Sequence, residues 1–140
     1  MAAKFSVEEM NTYLDEIFPQ VKGSFIVEEL DETGCVVRMP ITESHLRPGG
    51  TVSGPTMFGL ADVSAYVATM GQIGKQALAV TTSCSLDFMR KPEAGSDLIA
   101  RATLLKLGKS LSVNDILLFS ESKDEPVARA TMTYSIPQRK

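Results

Sequence analysis

Apolar residues follow a helical spacing near the start of the chain, and the pattern ends at a proline. Ser6 and Glu9 have the three-residue spacing of a capping box, which marks a helix start. Behind them, apolar side chains recur at helical intervals at Met10, Tyr13, Leu14 and Ile17. Since Pro19 disfavours helical backbone in the residue before it, we predict a short helix over about residues 7–18.

Two strand patterns and a loop come next. Residues 25–30 and 35–39 read as strands and are joined by a polar turn at 31–34. Residues 42–52 contain a Pro-Gly-Gly sequence and are predicted to form a loop.

The longest apolar segment begins at Pro55 and has no consistently polar face. Proline suits the first position of a helix, where no amide donor is missed, and the segment ends near Gly71 or Gly74. Its apolar side chains cover nearly the whole circumference, which is typical of a helix at the centre of a fold. Asp62 is its single acidic residue. A carboxylate in such surroundings is unfavourable unless it is paired or functional.

The second half of the chain contains four strand patterns separated by turn residues, at 77–90, 98–107, 111–120 and 127–135. In the first of them, alternation predicts Thr81 on one face and places on the other Leu78, Val80, Thr82, Cys84, Leu86 and Phe88. No helix pattern separates these strands. We therefore predict an α+β fold over residues 1–140, one domain with an antiparallel sheet wrapped around the long central helix.

Composition and charge exclude several classes of function. The 140 residues carry a formal net charge of −3 and no basic run, so no nucleic-acid partner is expected. No apolar stretch reaches the roughly 20 residues that span a bilayer, and the N-terminus lacks a signal-peptide core, so we expect a cytoplasmic protein with no membrane association.

Cys35 and Cys84 are predicted to be small core residues. With His45 as the single histidine, no metal site is expected.

Three motifs give the chain a resemblance to a known family. They lie within about residues 34–137 and read G-G-T-V-S-G-P-T-M-F-G-L-A-D-V-S, V-T-T-S-C-S-L-D-F-M-R-K-P and L-L-K-L-G-K-S-L. In this order they resemble hotdog-fold acyl-CoA thioesterases of the phenylacetate-degradation type. The resemblance implies hydrolysis of a fatty or aromatic acyl-CoA to the free acid and coenzyme A, without a metal or other cofactor. It also implies a homodimer or a dimer of dimers.

The same resemblance implies roles for individual residues. The backbone amide of Gly54 would stabilise the oxyanion, Asp62 would be the catalytic carboxylate, and the Thr81 hydroxyl would orient the attacking water. Ser53 stands where the family has a histidine, and Arg47 is at roughly the position of a family asparagine. Ser53 is also a favourable helix N-cap, which alone explains its presence.

The spacing of Gly54 and Asp62 bears on how a site could form. Eight residues separate them on the predicted helix, which is about 12 Å of rise at about 1.5 Å per residue. A general base must lie within about 3 Å of its water, which itself lies next to the carbonyl. Two antiparallel helices across a two-fold axis satisfy this requirement, so the mechanism needs an oligomer.

Further residues are candidates for binding the substrate. Ser53 and Arg47 belong to the loop that precedes the helix. The acyl group would contact apolar helix residues, among which we name Met57, Phe58 and Tyr66. The phosphates of coenzyme A would meet basic residues at strand ends, for which the candidates are Arg90, Lys91, Lys106 and Lys109. Ordinary solvated charge explains any one of these four equally well.

Three alternatives stay open at the level of the sequence. Asp62 could be a structural carboxylate bonded to the Tyr66 hydroxyl one helical turn further on, or to a donor in a partner chain. The protein could bind acyl-CoA without turning it over. It could also be a hotdog hydroxyacyl dehydratase or hydratase, although Gly59 stands where those dehydratases carry an acid and no histidine follows Asp62.

Overall fold

The computed structural model describes residues 3–138, which form one sheet with helices on it. The elements, in chain order, are α1 (Val7–Ile17), β1 (Ile26–Asp31), β2 (Gly34–Met39), α2 (Gly54–Ile73), β3 (Val80–Phe88), β4 (Leu98–Leu107), β5 (Leu111–Ser120) and β6 (Pro126–Ser135). Short 3-10 turns at Pro19–Val21 and Glu43–His45 follow α1 and precede α2.

The six strands pair antiparallel in the order β1-β2-β4-β5-β6-β3, and α2 packs against the sheet. This confirms the predicted α+β architecture, an antiparallel sheet around a long central helix. Within residues 3–138, neither helix has the length and apolarity that a membrane crossing requires.

The central helix α2 begins at a capped turn and ends at a glycine. The Ser53 hydroxyl accepts a hydrogen bond from an amide of the first turn, and Gly74 ends the helix at φ 91°, a backbone conformation that favours glycine. Twelve of the twenty residues are buried, as the all-round apolar pattern predicts. In the middle turns the half-exposed residues lie on one side of the helix, at Phe58, Gly59 and Asp62.

Strand β3 lies at the edge of the sheet and contains a bulge. Its pairing with β6 shifts between Thr81 and Ser83, so Thr82 is an extra residue and the alternation of side chains changes there. Buried residues of β6 pair with four residues of β3, namely Thr81, Cys84, Leu86 and Phe88. Because paired residues project from the same face of a sheet, these four lie on the side of β3 that faces the helix. The prediction that Thr81 lies on the opposite face from the other three is wrong, because strict alternation cannot anticipate a bulge.

The two cysteines lie in different environments. Cys35 is buried, its thiol donates to the Ser64 carbonyl oxygen at 3.3 Å, and burial raises its pKa to about 12. Cys84 is exposed, so the prediction of a core position is wrong for this residue. The reason is its place on the edge strand, where one side of β3 has no neighbouring strand among residues 3–138.

Candidate functional site

Asp62 lies in a cluster of three polar side chains that α2, β3 and β6 bring together. Its Oδ1 accepts one hydrogen bond from the Thr81 hydroxyl and another from the Tyr134 hydroxyl, which is 2.8 Å away. Thr81 and Tyr134 are direct partners in the β3–β6 ladder, so both side chains project toward the helix. The structure therefore brings together two of the predicted catalytic residues, Asp62 and Thr81.

The two hydroxyl contacts occupy one carboxylate oxygen and leave the other available. No donor from the described part of the chain lies within hydrogen-bond distance of Asp62 Oδ2. Burial, together with the nearby Asp62 carboxylate, raises the pKa of Tyr134, so its hydroxyl remains a protonated donor. One oxygen of Asp62 is thus held in position, while the other can accept a proton from a bound molecule.

Tyr66 does not bind Asp62. Its hydroxyl donates to the Ala77 carbonyl oxygen at 2.5 Å. Its ring stacks on that of Tyr134 with centroids 5.8 Å apart. The alternative in which Tyr66 holds Asp62 as a structural carboxylate is therefore wrong.

Tyr134 is the site residue that the sequence pattern does not reveal. It occupies an inward position of β6, where the hydroxyl of a buried tyrosine needs a partner. That requirement is the one signal available in the sequence. It does not identify Asp62 as the partner, because β6 pairs with β3 across two intervening strands of the chain.

The tip of α2 presents one free amide. The amide of Thr56 donates to the Ser53 hydroxyl at 3.3 Å, and that of Met57 donates to the Ser53 carbonyl oxygen at 3.1 Å. Pro55 has no N–H, so among the first residues of the helix the amide of Gly54 alone lacks an acceptor within residues 3–138. Since the helix dipole places positive charge at this end, the Gly54 N–H is suited to bind a negatively charged or polarised oxygen.

A cavity of about 440 Å³ opens beside Gly54. Its lining includes three basic residues predicted to bind substrate, Arg47, Arg90 and Lys91. All three side chains are exposed. Together with the helix tip they make this cavity a positively charged environment for a phosphate-bearing ligand.

Arg90 is anchored within the chain. Its guanidinium donates to the Pro126 carbonyl oxygen at 2.8 Å and lies 3.4 Å from a Glu125 carboxylate oxygen. Contacts of this kind restrict the side chain and leave further donors of the guanidinium available.

The other predicted binding residues lie in different places. Ser53 is the N-cap of α2, and Met57 is buried in the wall of the cavity beside Gly54. Phe58 is half-buried and packs against the core. Lys109 lies in the β4–β5 turn, at the end of the sheet occupied by Val80, whereas Gly54 lies at the end occupied by Phe88. The chain does not bring Lys109 to its own helix tip.

A second cavity, of about 330 Å³, contains the carboxylate of Asp62 and the hydroxyls of Thr81 and Tyr134. The remainder of its lining is mainly apolar and includes Ile17 and Phe18 at the end of α1. Among residues 3–138, it shares no lining residue with the cavity beside Gly54. One chain therefore holds the free helix amide and the available carboxylate in two separate cavities.

Residues 3–138 contain no group of three or more histidine, cysteine, aspartate and glutamate side chains that could hold a metal ion.

Comparison with known proteins relates this arrangement to one family. The model of the thioesterase superfamily matches residues 49–127, which include the helix tip and Asp62. The acyl-coenzyme A thioesterase PaaI of Escherichia coli (strain K12) is 32% identical over 94 residues, which are 67% of this chain and 65% of that protein.

Two solved structures extend the comparison. A crystal structure from Silicibacter sp. TM1040, whose assignment as a thioesterase is provisional, is similar with a TM-score of 0.92 and 56% identity. That match covers 99% of this chain and 96% of the other. The structure of the E. coli PaaI protein, from the phenylacetic acid degradation operon, is similar with a TM-score of 0.75 and 27% identity, covering 91% of this chain and 95% of the other.

Proposed function

The chain belongs to the thioesterase superfamily, and we propose that it hydrolyses a fatty or aromatic acyl-CoA to the free acid and coenzyme A. The name of its E. coli relative, an acyl-coenzyme A thioesterase, supports this substrate class. The observation that carries the proposal is the division of the site. A free helix amide among basic residues suits the thioester carbonyl and coenzyme A, while an apolar cavity with one carboxylate suits the acyl group.

The active form we propose is a homodimer in which each chain supplies half of each site. Gly54 and Asp62 are eight residues apart on α2, about 12 Å of rise at about 1.5 Å per residue, and they line different cavities. A single thioester group is therefore not expected to contact both in the same chain. A two-fold axis between antiparallel α2 helices would place Gly54 of one chain beside Asp62 of its partner. Two equivalent sites per dimer would result, and two such dimers could pair further.

The edge strand β3 offers the surface for this assembly. It is nine residues long, pairs only with β6 within the described residues, and carries exposed apolar side chains at Val80 and Phe88. Long, exposed edge strands readily pair with another chain. Pairing of two β3 strands would join the sheets and bring both α2 helices onto the same side.

The reaction then needs no cofactor. The carbonyl oxygen accepts a hydrogen bond from the Gly54 amide of one chain, and Asp62 Oδ2 of the other chain removes a proton from an attacking water. Water oxygen bonds to the carbonyl carbon, and the negative charge that develops on the carbonyl oxygen is stabilised by the amide. The carbon–sulfur bond then breaks, coenzyme A leaves as a thiolate, and the proton held by Asp62 restores the thiol. Direct attack by Asp62 to form an anhydride is the other route.

A serine in place of the family histidine is compatible with this chemistry. A thiol of pKa about 8.5 leaves readily as its thiolate, so strong acid assistance is dispensable. Ser53 instead caps α2 and so leaves the Gly54 amide as the free donor. We therefore assign Ser53 a positioning role.

Recognition of coenzyme A can be tested at the basic cavity. Replacing both Arg90 and Lys91 with glutamine is expected to raise KM for an acyl-CoA about tenfold, with little change in kcat, because two charge-assisted phosphate contacts are lost. Steady-state rates of thiol release would measure both parameters. Double replacement of Arg101 and Lys123, which are exposed elsewhere, is the matched control for lost charge.

A truncated substrate makes the same test specific. The N-acetylcysteamine thioester of the same acyl group carries no phosphate, so its KM should be equal in the wild type and in the Arg90/Lys91 variant. If the wild type and the Arg90/Lys91 variant also had equal KM values for the full acyl-CoA, the assignment of this cavity to coenzyme A would be contradicted. Lys109→Gln, measured alongside, tests whether this more distant lysine also contributes.

The native Cys84 can report on the proposed dimer. Gly54 lies beside Phe88, and Asp62 beside Thr81, so an axis that exchanges these positions passes near Cys84, midway along β3. A short bismaleimide should therefore link two chains through Cys84, while the buried Cys35 stays unmodified. Denaturing electrophoresis would detect the linked dimer, and Cys84→Ser should abolish it. A monomer by light scattering, with no cross-linked product, would contradict the dimer.

A further inference from the structure

We propose that the C-terminal end of α1, at Ile17 and Phe18, closes the acyl pocket and sets the largest acyl group that the enzyme accepts. The inference rests on the proposed function, since it assigns the apolar cavity around Asp62 to the acyl group. It adds two specificity-determining residues and a narrower substrate class, uncharged hydrophobic acyl groups of intermediate size.

The position of α1 supports this role. Ile17 and Phe18 line the same cavity as the Asp62 carboxylate, together with apolar residues of α2 and β3 that include Val63 and Val80. Both residues are half-buried. The cavity thus has its reactive carboxylate on α2 and a wall that belongs to a different helix.

This wall is held firmly against the sheet. The Asn11 side chain donates to the Val27 carbonyl oxygen at 3.0 Å and accepts from the Val27 amide at 2.9 Å, which ties α1 to β1. Met10 and Leu14 of α1 are buried in the core. The amide of Phe18 donates to the Leu14 carbonyl oxygen at 2.8 Å and so continues the helix to the wall. An acyl group that extends past Ile17 and Phe18 on this side of the pocket would have to displace a docked helix.

The chemistry of the lining selects the class of acyl group. Among residues 3–138, no lysine or arginine lines this cavity, and Asp62 is the one charged residue in its wall. An acyl group with its own carboxylate would face Asp62 with no compensating cation from the same wall, which is unfavourable in apolar surroundings.

The size of the pocket favours an acyl group larger than acetyl. The cavity volume of about 330 Å³ is many times the roughly 10–15 Å³ that one water needs, so it has room for a group well beyond acetyl. An octanoyl or phenylacetyl group fills such a space far better than acetyl does. Each methylene that leaves water for the pocket adds to the binding of the acyl group.

The test compares four thioesters with the full-length protein: butanoyl-, octanoyl-, dodecanoyl- and succinyl-CoA. The wild type should have its highest kcat/KM with octanoyl-CoA and its lowest with succinyl-CoA. Phe18→Ala removes part of the wall and should raise the dodecanoyl-to-octanoyl ratio of kcat/KM about tenfold. Phe18→Trp should lower the same ratio.

Phe25→Ala is the matched control, because Phe25 is also half-buried against the core but does not line the cavity. This control variant should leave the dodecanoyl-to-octanoyl ratio of kcat/KM unchanged. Ile17→Ala provides a second enlargement of the wall should Phe18→Ala fail to fold.

Two results would overturn the inference while leaving the proposed function intact. One is that the enzyme hydrolyses the thioesters but its dodecanoyl-to-octanoyl ratio of kcat/KM is the same in Ile17→Ala, Phe18→Ala, Phe18→Trp and the wild type. The other is a preference for succinyl-CoA over octanoyl-CoA. Absence of hydrolysis with all four thioesters and with phenylacetyl-CoA would instead overturn the proposed function, and this inference with it.

Discussion

Asp62→Asn is expected to lower kcat for acyl-CoA hydrolysis about 10³-fold, the scale of a lost general base. The asparagine side chain has nearly the same shape, and its Oδ1 can still accept from the hydroxyls of Thr81 and Tyr134. The fold and the proposed dimer should therefore persist, and only proton removal should be lost. Release of free thiol, followed with a chromogenic thiol reagent, measures the rate.

A matched control removes the same charge elsewhere. Asp124→Asn changes an exposed aspartate outside both cavities and should leave kcat unchanged. Full activity of Asp62→Asn would contradict the proposed mechanism. If the wild type itself binds acyl-CoA tightly but releases no thiol, and Asp62→Asn binds equally well, the protein is an acyl-CoA-binding module.

The elements that carry their own local signal could be predicted from the sequence. The capping serine, the proline in the first turn and the all-round apolar pattern of α2 are local features, and they predict a buried helix with Asp62 on it. The alternation in the later strands likewise predicts an antiparallel sheet. Gly54 could be singled out for the same reason, because its place at the helix tip depends on its immediate neighbours alone.

Features that depend on pairing between distant segments could not be predicted. The contact of Tyr134 with Asp62 exists because β6, the last strand, pairs with β3, the first strand after α2. The bulge at Thr82 turns Thr81 toward Asp62 against the alternation of the sequence. Cys84 fits the pattern of a core residue and is exposed because β3 lies at the edge. In each case the pairing and register of the strands determine where the side chain lies, and they cannot be read from a single sequence.

The proposed division of the site between two chains leads to the second large expected effect. Gly54→Pro removes the free amide at the tip of α2 and should lower kcat about 10²- to 10³-fold, the effect expected from losing the proposed oxyanion donor. Proline suits the first turn of a helix. Ser53, at φ −74° and ψ 155°, already has the extended backbone that a following proline requires.

Gly54→Ala separates the lost donor from the added bulk. Its Cβ would lie 3.3 Å from the Phe88 ring, a tight contact that a small shift of this exposed side chain relieves. The alanine variant keeps its amide and should retain most of the activity. Equal losses in both variants would show that bulk at this position, rather than the missing N–H, causes the effect.

Mixing the two inactive variants tests whether the site is shared. In a heterodimer of Asp62→Asn and Gly54→Pro chains, one site combines the intact Gly54 of the first chain with the intact Asp62 of the second, and the other site carries both changes. Random reassortment of equal amounts makes about half of the dimers mixed, and each mixed dimer has one intact site of two. About a quarter of the wild-type activity should therefore return. Native mass spectrometry of chains with different affinity tags would verify the exchange. If mixed dimers form and activity stays at the level of the single variants, the amide and the carboxylate act within one chain, and the proposed dimeric site is wrong.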